Sequence, residues 1–138
     1  MLPKIDVPMY EVKLISNGKT VKIRPFLVKE QKLLLMASES EDQKDTLNTI
    51  KQVLKNCILD DIDVDKLPTF DLEYLFLNLR ARSVEEVVQL KYKCNNIVKD
   101  ENGEDVSCKG VVEFDVNLLE IQPTKHPEHT NRIQITEN

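Results

Sequence analysis

The sequence predicts a single α+β domain followed by an extended tail. An Asn-Gly dipeptide between two alternating segments near the amino terminus indicates a β-hairpin. From about residue 28 to residue 83, apolar residues recur at spacings of three and four, which is typical of helices. Alternation with a period of two then returns and indicates a second hairpin. We therefore expect a β-hairpin, three α-helices and a second β-hairpin within residues 1–122, with an extended tail over residues 123–138.

The composition is that of a globular protein. Hydrophobic residues make up 41% of the 138 positions and charged residues 31%, while 3 Gly and 6 Pro are too few for a collagen-like or disordered chain. No apolar run approaches the roughly 20 residues that a membrane-spanning helix needs, so no membrane contact is expected. The three cysteines are widely spaced and predict no disulfide framework, which favours a reducing cytosol.

Charge is unevenly distributed along the chain. The net charge is −5, yet residues 1–36 carry seven basic and three acidic side chains, whereas residues 94–138 carry four and nine. An acidic total argues against broad binding to nucleic-acid phosphates, which requires a dense field of lysine and arginine. We expect a solvated surface of mixed charge, with the basic first segment available to a protein partner.

The first hairpin is predicted from its turn. Asn17 and Gly18 are the residue types that supply the two positive φ angles of a type I′ turn. Such a turn places four apolar side chains on one face, in two pairs: Leu14 with Val21, and Val12 with Ile23. Pro25 has no backbone N–H to donate, so it is expected to end the second strand.

Three helices are predicted between the hairpins. The first covers residues 28 to about 40 and has enough apolar residues to bury a broad face. The second covers about 43–58, and its apolar stripe includes Cys57, which we interpret as a core thiol. The third is expected to begin with Thr69 as its N-cap and Asp71 in its first turn, where a negative charge is favourable.

The third helix is apolar around much of its circumference. The residues concerned are Phe70, Leu72, Tyr74, Leu75, Phe76, Leu77 and Leu79. A domain of this size does not readily bury all of them, so one side, represented by Tyr74 and Leu77, is expected to contact a partner. The alternative is that every one of them packs inside against the two hairpins.

The second hairpin is predicted from two alternating segments, residues 88–94 and 112–117, joined by a polar loop. Placing Cys94 opposite Cys108 keeps the apolar side chains on one face. The same register pairs Leu90 with Val112 and Val88 with Phe114.

Four residues are of the types that bind structural zinc, namely Cys94, Cys108, His126 and His129. Strong zinc motifs use paired C-x2-C knuckles, but Ile97 and Val111 occupy the partner positions here. We therefore interpret the two cysteines as reduced, neighbouring thiols without metal, and we expect no cofactor. The alternative is a degenerate zinc ribbon that binds nucleic acid or protein.

Catalytic motifs are missing from the sequence. It contains no Gly-rich phosphate loop, no G-x-S-x-G and no H-E-x-x-H. The prediction is therefore a protein that is not an enzyme and has no small-molecule substrate.

The tail has too few apolar residues to fold alone. Ile133 and Ile135 alternate with polar residues over 132–136, as in an edge strand. These two isoleucines are expected to pair with a partner.

Several stretches resemble the baseplate-hub proteins of T-even-type contractile-tail bacteriophages, a family described as baseplate hub subunit or hub assembly protein. The similar stretches are residues 2–10, 18–30 (GKTVKIRPFLVKE), 33–37 (LLLMA), 70–77 (FDLEYLFL), 80–84 (RARSV) and 129–131 (HTN). They span nearly the whole chain, but none is a catalytic motif.

This resemblance implies a non-enzymatic role in building the tail baseplate, as a hub component or an assembly chaperone. The implied partners are other baseplate hub or tail proteins. The implied locations are the host cytoplasm during assembly and, for a protein that stays in the particle, the virion's tail baseplate. Members of the family are longer, so the tail is expected to lead into a further carboxy-terminal part.

Overall fold

Hairpins flank three helices in the computed structural model, which describes residues 6–40, 42–130 and 132–135. The elements are β1 (Tyr10–Lys13), β2 (Thr20–Ile23), α1 (Val28–Ser38), α2 (Gln43–Cys57), α3 (Thr69–Ser83), β3 (Val87–Lys93), β4 (Ile97–Lys99), β5 (Asp105–Ser107) and β6 (Val111–Asn117). Single turns of 3-10 helix lie at Val64–Lys66 and Leu118–Glu120. The predicted α+β class is confirmed. None of the helices in the described ranges is long and apolar enough to cross a membrane.

The first hairpin has the predicted buried face but a different register. β1 and β2 are antiparallel, with Val12 opposite Val21 and Tyr10 opposite Ile23, so the predicted pairs are wrong by two residues. A shift of two preserves which side chains share a face, and Val12, Leu14, Val21 and Ile23 are all buried. Periodicity alone could not distinguish these two registers.

The loop of this hairpin explains the shift. Residues 15–18 form a four-residue loop in which Gly18 has φ +71°, while Asn17 does not have the positive φ of a type I′ turn. The backbone N–H groups of Ile15 and Ser16 donate to the carboxylate of Asp71, and a tight two-residue turn would not present both donors.

The core lies between the first hairpin and two of the helices. Its buried apolar side chains are Val12, Leu14, Val21, Ile23, Val53, Leu54, Cys57, Val64, Leu72, Leu75 and Leu79. The chain after α2 also pairs with β2, because Leu59 donates to the Lys22 carbonyl at 2.9 Å and Arg24 donates to the Cys57 carbonyl at 2.9 Å. This segment covers the free edge of β2.

The helices follow the predicted ranges, with two differences. Thr69 is the first residue of α3 and Pro68 is the N-cap, so the predicted capping role of Thr69 is wrong. Asp71 lies in the first turn of α3 as predicted, where its buried carboxylate bonds to the loop of the first hairpin. Helix α1 buries a smaller part of its apolar surface than its composition suggested, because Leu35 and Met36 are both 60% exposed.

The second hairpin also differs from its predicted register by two residues. Leu90 faces Phe114 and Val88 faces Val116. Cys94 therefore donates to the carbonyl of Gly110 and does not lie directly opposite Cys108. The loop sets this register, because Asp100 accepts from the N–H groups of Asn102 and Glu104 while Gly103 takes φ +79°.

The tail contains no helix or strand within residues 121–130 and 132–135. Ile133 and Ile135 are almost fully exposed. Thr136 of the expected edge strand lies outside the described residues, as do residues 2–5 and Asn131 of the stretches that resemble the phage family.

Candidate functional site

The second hairpin forms a two-stranded ribbon, residues 87–117. Strands β3 and β6 form its base, and β4 and β5 form its outer end. The two pairs share one register, because the Cys94 N–H donates to Gly110 at 2.8 Å and the Cys108 N–H donates to Asn96 at 2.7 Å between them. The ribbon is therefore one hairpin whose regular pairing is interrupted at the two cysteines.

One face of the ribbon is apolar. Directly opposed residues of an antiparallel pair project to the same side, and successive residues alternate sides. The residues on this face of the base are Val88, Leu90, Tyr92, Val112, Phe114 and Val116. The alternation in the sequence thus produces an amphipathic ribbon.

Three of the six side chains on this apolar face are exposed, and the other three are partly buried. Tyr92 and Val112 are each 60% exposed, and Phe114 is 43% exposed. The rings of Tyr92 and Phe114 stack on each other, with centroids 5.6 Å apart and planes inclined by 13°. An apolar surface with a stacked aromatic pair is typical of protein interfaces, where aromatic anchors contribute most of the binding energy.

The opposite face of the ribbon is polar. It presents Gln89 opposite Asp115 and Lys91 opposite Glu113, and the Lys91 Nζ lies 2.6 Å from the Glu113 Oε1. At the base, the buried side chain of Leu118 follows β6, and its N–H donates to the Glu86 carbonyl at 2.8 Å. The ribbon is therefore anchored at one end and solvated on one face.

An isolated two-stranded hairpin is marginally stable in water and needs further packing. The buried core cluster contains no residue of the ribbon within the described ranges. The ribbon becomes more stable when another surface covers its apolar face. The ribbon face is the candidate site that the geometry favours.

The cysteines lie close together on the ribbon, and both are partly exposed free thiols. The N–H of Gly110 donates to the Cys108 Sγ at 3.5 Å, and Cys94 lies against the same glycine. Across residues 6–40, 42–130 and 132–135, no group of three or more His, Cys, Asp and Glu side chains is arranged to hold a metal ion.

The histidines belong to a different part of the molecule. His126 and His129 form a turn in the tail, in which the His129 N–H donates to the His126 carbonyl at 2.9 Å. His129 lines an open cavity of about 640 Å³ together with Ile15, Ser16 and Phe70. His129 thus lines the same open cavity as the first hairpin loop and the start of α3.

The two residues of α3 that were predicted to contact a partner are half-buried. Tyr74 packs against the core, and Leu77 is partly exposed. Phe70, at the start of the same helix, is 47% exposed. The sequence pointed to α3, whereas every exposed large apolar side chain of the described strands lies on the ribbon. Its alternating pattern was visible in the sequence, but its exposure was not.

Cys57 occupies the core position that its stripe predicted. The side chain is fully buried, and burial raises the pKa of the thiol to about 11. A thiol with so high a pKa stays protonated at neutral pH and is a poor nucleophile.

A comparison with protein families shows to which family the chain belongs. The family model described as T4 bacteriophage base plate protein matches residues 7–137, which is nearly the whole chain. The chain belongs to the T4 base plate protein family. The predicted resemblance to phage baseplate proteins is thereby confirmed. Comparison with curated proteins and with solved structures found no match.

Membership in the base plate family bears on the role of the exposed ribbon. The chain is a structural protein of the phage tail base plate. Large exposed apolar patches on a soluble protein mark interaction sites.

Proposed function

We propose that this base plate protein binds other tail proteins through the apolar face of its ribbon and acts by binding rather than by catalysis. The observation that carries the proposal is the exposed stack of Tyr92 and Phe114, beside Val112, on a hairpin that lies outside the core. Covering these side chains would contribute about 1.5–3 kcal/mol for each large apolar residue.

The finer role proposed is that of a hub component or an assembly chaperone. Its partners would be other baseplate hub or tail proteins, met in the host cytoplasm during assembly, and a hub component would remain in the virion's tail baseplate. The resemblance to the baseplate-hub family supports this role. Tyr74, Leu77, Ile133 and Ile135 are proposed as further contacts, since each is at least partly exposed.

Co-purification tests the proposal. The chain is co-expressed with the other base plate and tail proteins of its phage, and complexes are isolated through the chain. Tyr92→Glu places a charge on the apolar face and is expected to weaken capture of a tail protein by about tenfold or more. Gln89→Glu, on the polar face of the same strand, is the matched control and should bind normally.

Thermal unfolding accompanies the binding measurement. Because Tyr92 is exposed, Tyr92→Glu should leave the unfolding temperature of the core within a few degrees of the unsubstituted chain. If no tail protein is captured by the unsubstituted chain, or if both variants bind equally well, the proposed role of the ribbon face is wrong.

A further inference from the structure

A second exposed apolar surface lies on the outer side of α1. Val28 is 81% exposed and Leu35 is 60% exposed, and their spacing of seven places them on one side of the helix. Lys32 lies between them on the same side and is exposed, and the Lys29 side chain beside it is 68% exposed. We call these four residues the α1 patch.

The α1 patch is positively charged at its amino-terminal end. The carboxylate of Glu30 is buried beneath this turn, where it pairs with Arg24 and lies 3.5 Å from the Lys29 Nζ, so it adds no exposed negative charge and leaves Lys32 as the exposed lysine farther from it. Glu39 lies beyond the last turn, at the end of the helix opposite Val28. The patch therefore combines apolar side chains with two exposed lysines.

The outer end of the ribbon has the complementary character. Val98 and Val106 oppose each other and are exposed on one side of it, and Ile97, which is 71% exposed, lies on the other side. The loop between them carries one lysine and four carboxylates, at Lys99, Asp100, Glu101, Glu104 and Asp105. We call residues 97–107 the ribbon tip. It is apolar and acidic, whereas the α1 patch is apolar and basic.

These two surfaces point to a second copy of the chain as a partner. Pairing of two ribbon tips would bring two acidic loops together, and pairing of two α1 patches would bring lysines together, both of which oppose association. Contact between a ribbon tip and an α1 patch brings opposite charges together and covers apolar side chains on both copies.

We infer that the ribbon tip of one copy binds the α1 patch of a second copy, so that copies associate head to tail. This inference goes beyond the proposed function, because its partner is a second copy of the chain and its surfaces are the ribbon tip and the α1 patch. A head-to-tail contact uses different surfaces on the two copies and therefore leaves one of each free, which generates a ring or a filament.

The test measures molecular mass by sedimentation and light scattering of the full chain over a range of concentrations. The mass should rise with concentration at low salt. The rise should be weaker at about 1 M salt, where charges are screened beyond about 3 Å. A chain that stays monomeric at every concentration would overturn the inference.

Two variants separate a head-to-tail contact from a symmetric one. The patch variant carries Lys32→Glu and Leu35→Glu, and the tip variant carries Val98→Lys and Glu101→Lys. Each variant by itself should self-associate at least about tenfold more weakly than the unsubstituted chain. Mixed in equal amounts they should form a one-to-one dimer, because the patch variant retains its tip and the tip variant retains its patch. Lys19→Glu, at an exposed position directly after the loop of the first hairpin, is the control and should associate normally.

Other outcomes contradict the head-to-tail contact. If either variant self-associates as strongly as the unsubstituted chain, or if the mixture remains monomeric, that contact is wrong. Should Val98→Lys unfold the ribbon, Glu101→Lys with Glu104→Lys reverses the charge of the loop alone and carries the same expectation. A monomeric chain that still captures tail proteins overturns this inference only. A self-associating chain that captures none overturns the proposed binding of other tail proteins.

Discussion

At the residue scale, Asp71 links the start of α3 to the loop of the first hairpin. Its partners Ile15 and Ser16 lie 56 and 55 positions earlier in the sequence. Its Oδ1 accepts from the N–H of Ile15 at 2.8 Å and of Ser16 at 3.2 Å, and its Oδ2 accepts from the Ser16 hydroxyl. A buried carboxylate is tolerated only when donors satisfy it in this way. Asp71 therefore fixes the first hairpin to the start of α3.

Removing this carboxylate tests its structural role. Asp71→Ala leaves two backbone donors without a partner and is expected to lower the free energy of unfolding by about 2–3 kcal/mol. Glu73→Ala, at an exposed position of the same helix, should change it by less than about 0.5 kcal/mol. Urea unfolding measures both. Equal losses in the two variants would show that the hairpin loop does not depend on Asp71.

Glu30 predicts a dependence of stability on pH. Burial raises the pKa of its carboxyl, but the Leu27 N–H at 2.7 Å and the guanidinium of Arg24 at 3.2 Å outweigh burial, so the pKa lies below the ordinary 4.5. A carboxyl with a depressed folded-state pKa stabilises the fold above its unfolded pKa, and that stability is lost as the pH falls through the folded value.

Between about pH 5 and about pH 3, the free energy of unfolding should therefore fall more steeply for the unsubstituted chain than for Glu30→Gln. Glu11→Gln, at an exposed position of β1, should keep the steeper slope. Chemical unfolding at a series of pH values gives both slopes. Parallel curves for the unsubstituted chain and Glu30→Gln would contradict the assignment.

The two ribbon thiols lead to a prediction about metal content. Cys94 and Cys108 are close, but Ile97 and Val111 stand where a zinc ribbon has ligands, and His129 lines a cavity beside the first hairpin loop. Elemental analysis of chain purified without chelator should find far less than one zinc per molecule. Near-stoichiometric zinc that is lost in Cys94→Ser would instead support the zinc-ribbon alternative.

At the scale of the elements, periodicity was enough to predict which residues share a face but not which residues are paired. In both hairpins the predicted register was two residues away from the observed one, because a shift of two leaves each face unchanged. The registers depend on the loops, through Asp71 in one case and through Asp100 with Gly103 in the other. The first of these contacts is long-range and has no local sequence signal.

Exposure of the ribbon could not be predicted either. An alternating strand with one apolar face has the same pattern whether that face packs on a core or meets a partner. The helices were more predictable, because the apolar stripe of α2 and the acidic first turn of α3 are local features. The candidate site thus depended on the arrangement of elements, which separates Tyr92, Val112 and Phe114 from the core.

At the scale of the whole molecule, the chain has a packed part and a projecting part. The first hairpin, α2 and α3 enclose the core, with α1 packed on α2, and the ribbon extends from the end of α3. The packed part provides a stable base, and the ribbon presents an amphipathic surface with an acidic outer end. This division suits a structural protein of the T4 base plate family.

The central claim is that partners cover the apolar face of the ribbon. Hydrogen–deuterium exchange of the free chain and of its complex with a captured tail protein tests this claim directly. The ribbon should exchange quickly when free, because a two-stranded hairpin is marginally stable, and residues 87–93 and 111–117 should gain strong protection in the complex. If these two strands exchange equally in both states while protection appears only on α3 or the tail, the ribbon is not the binding surface.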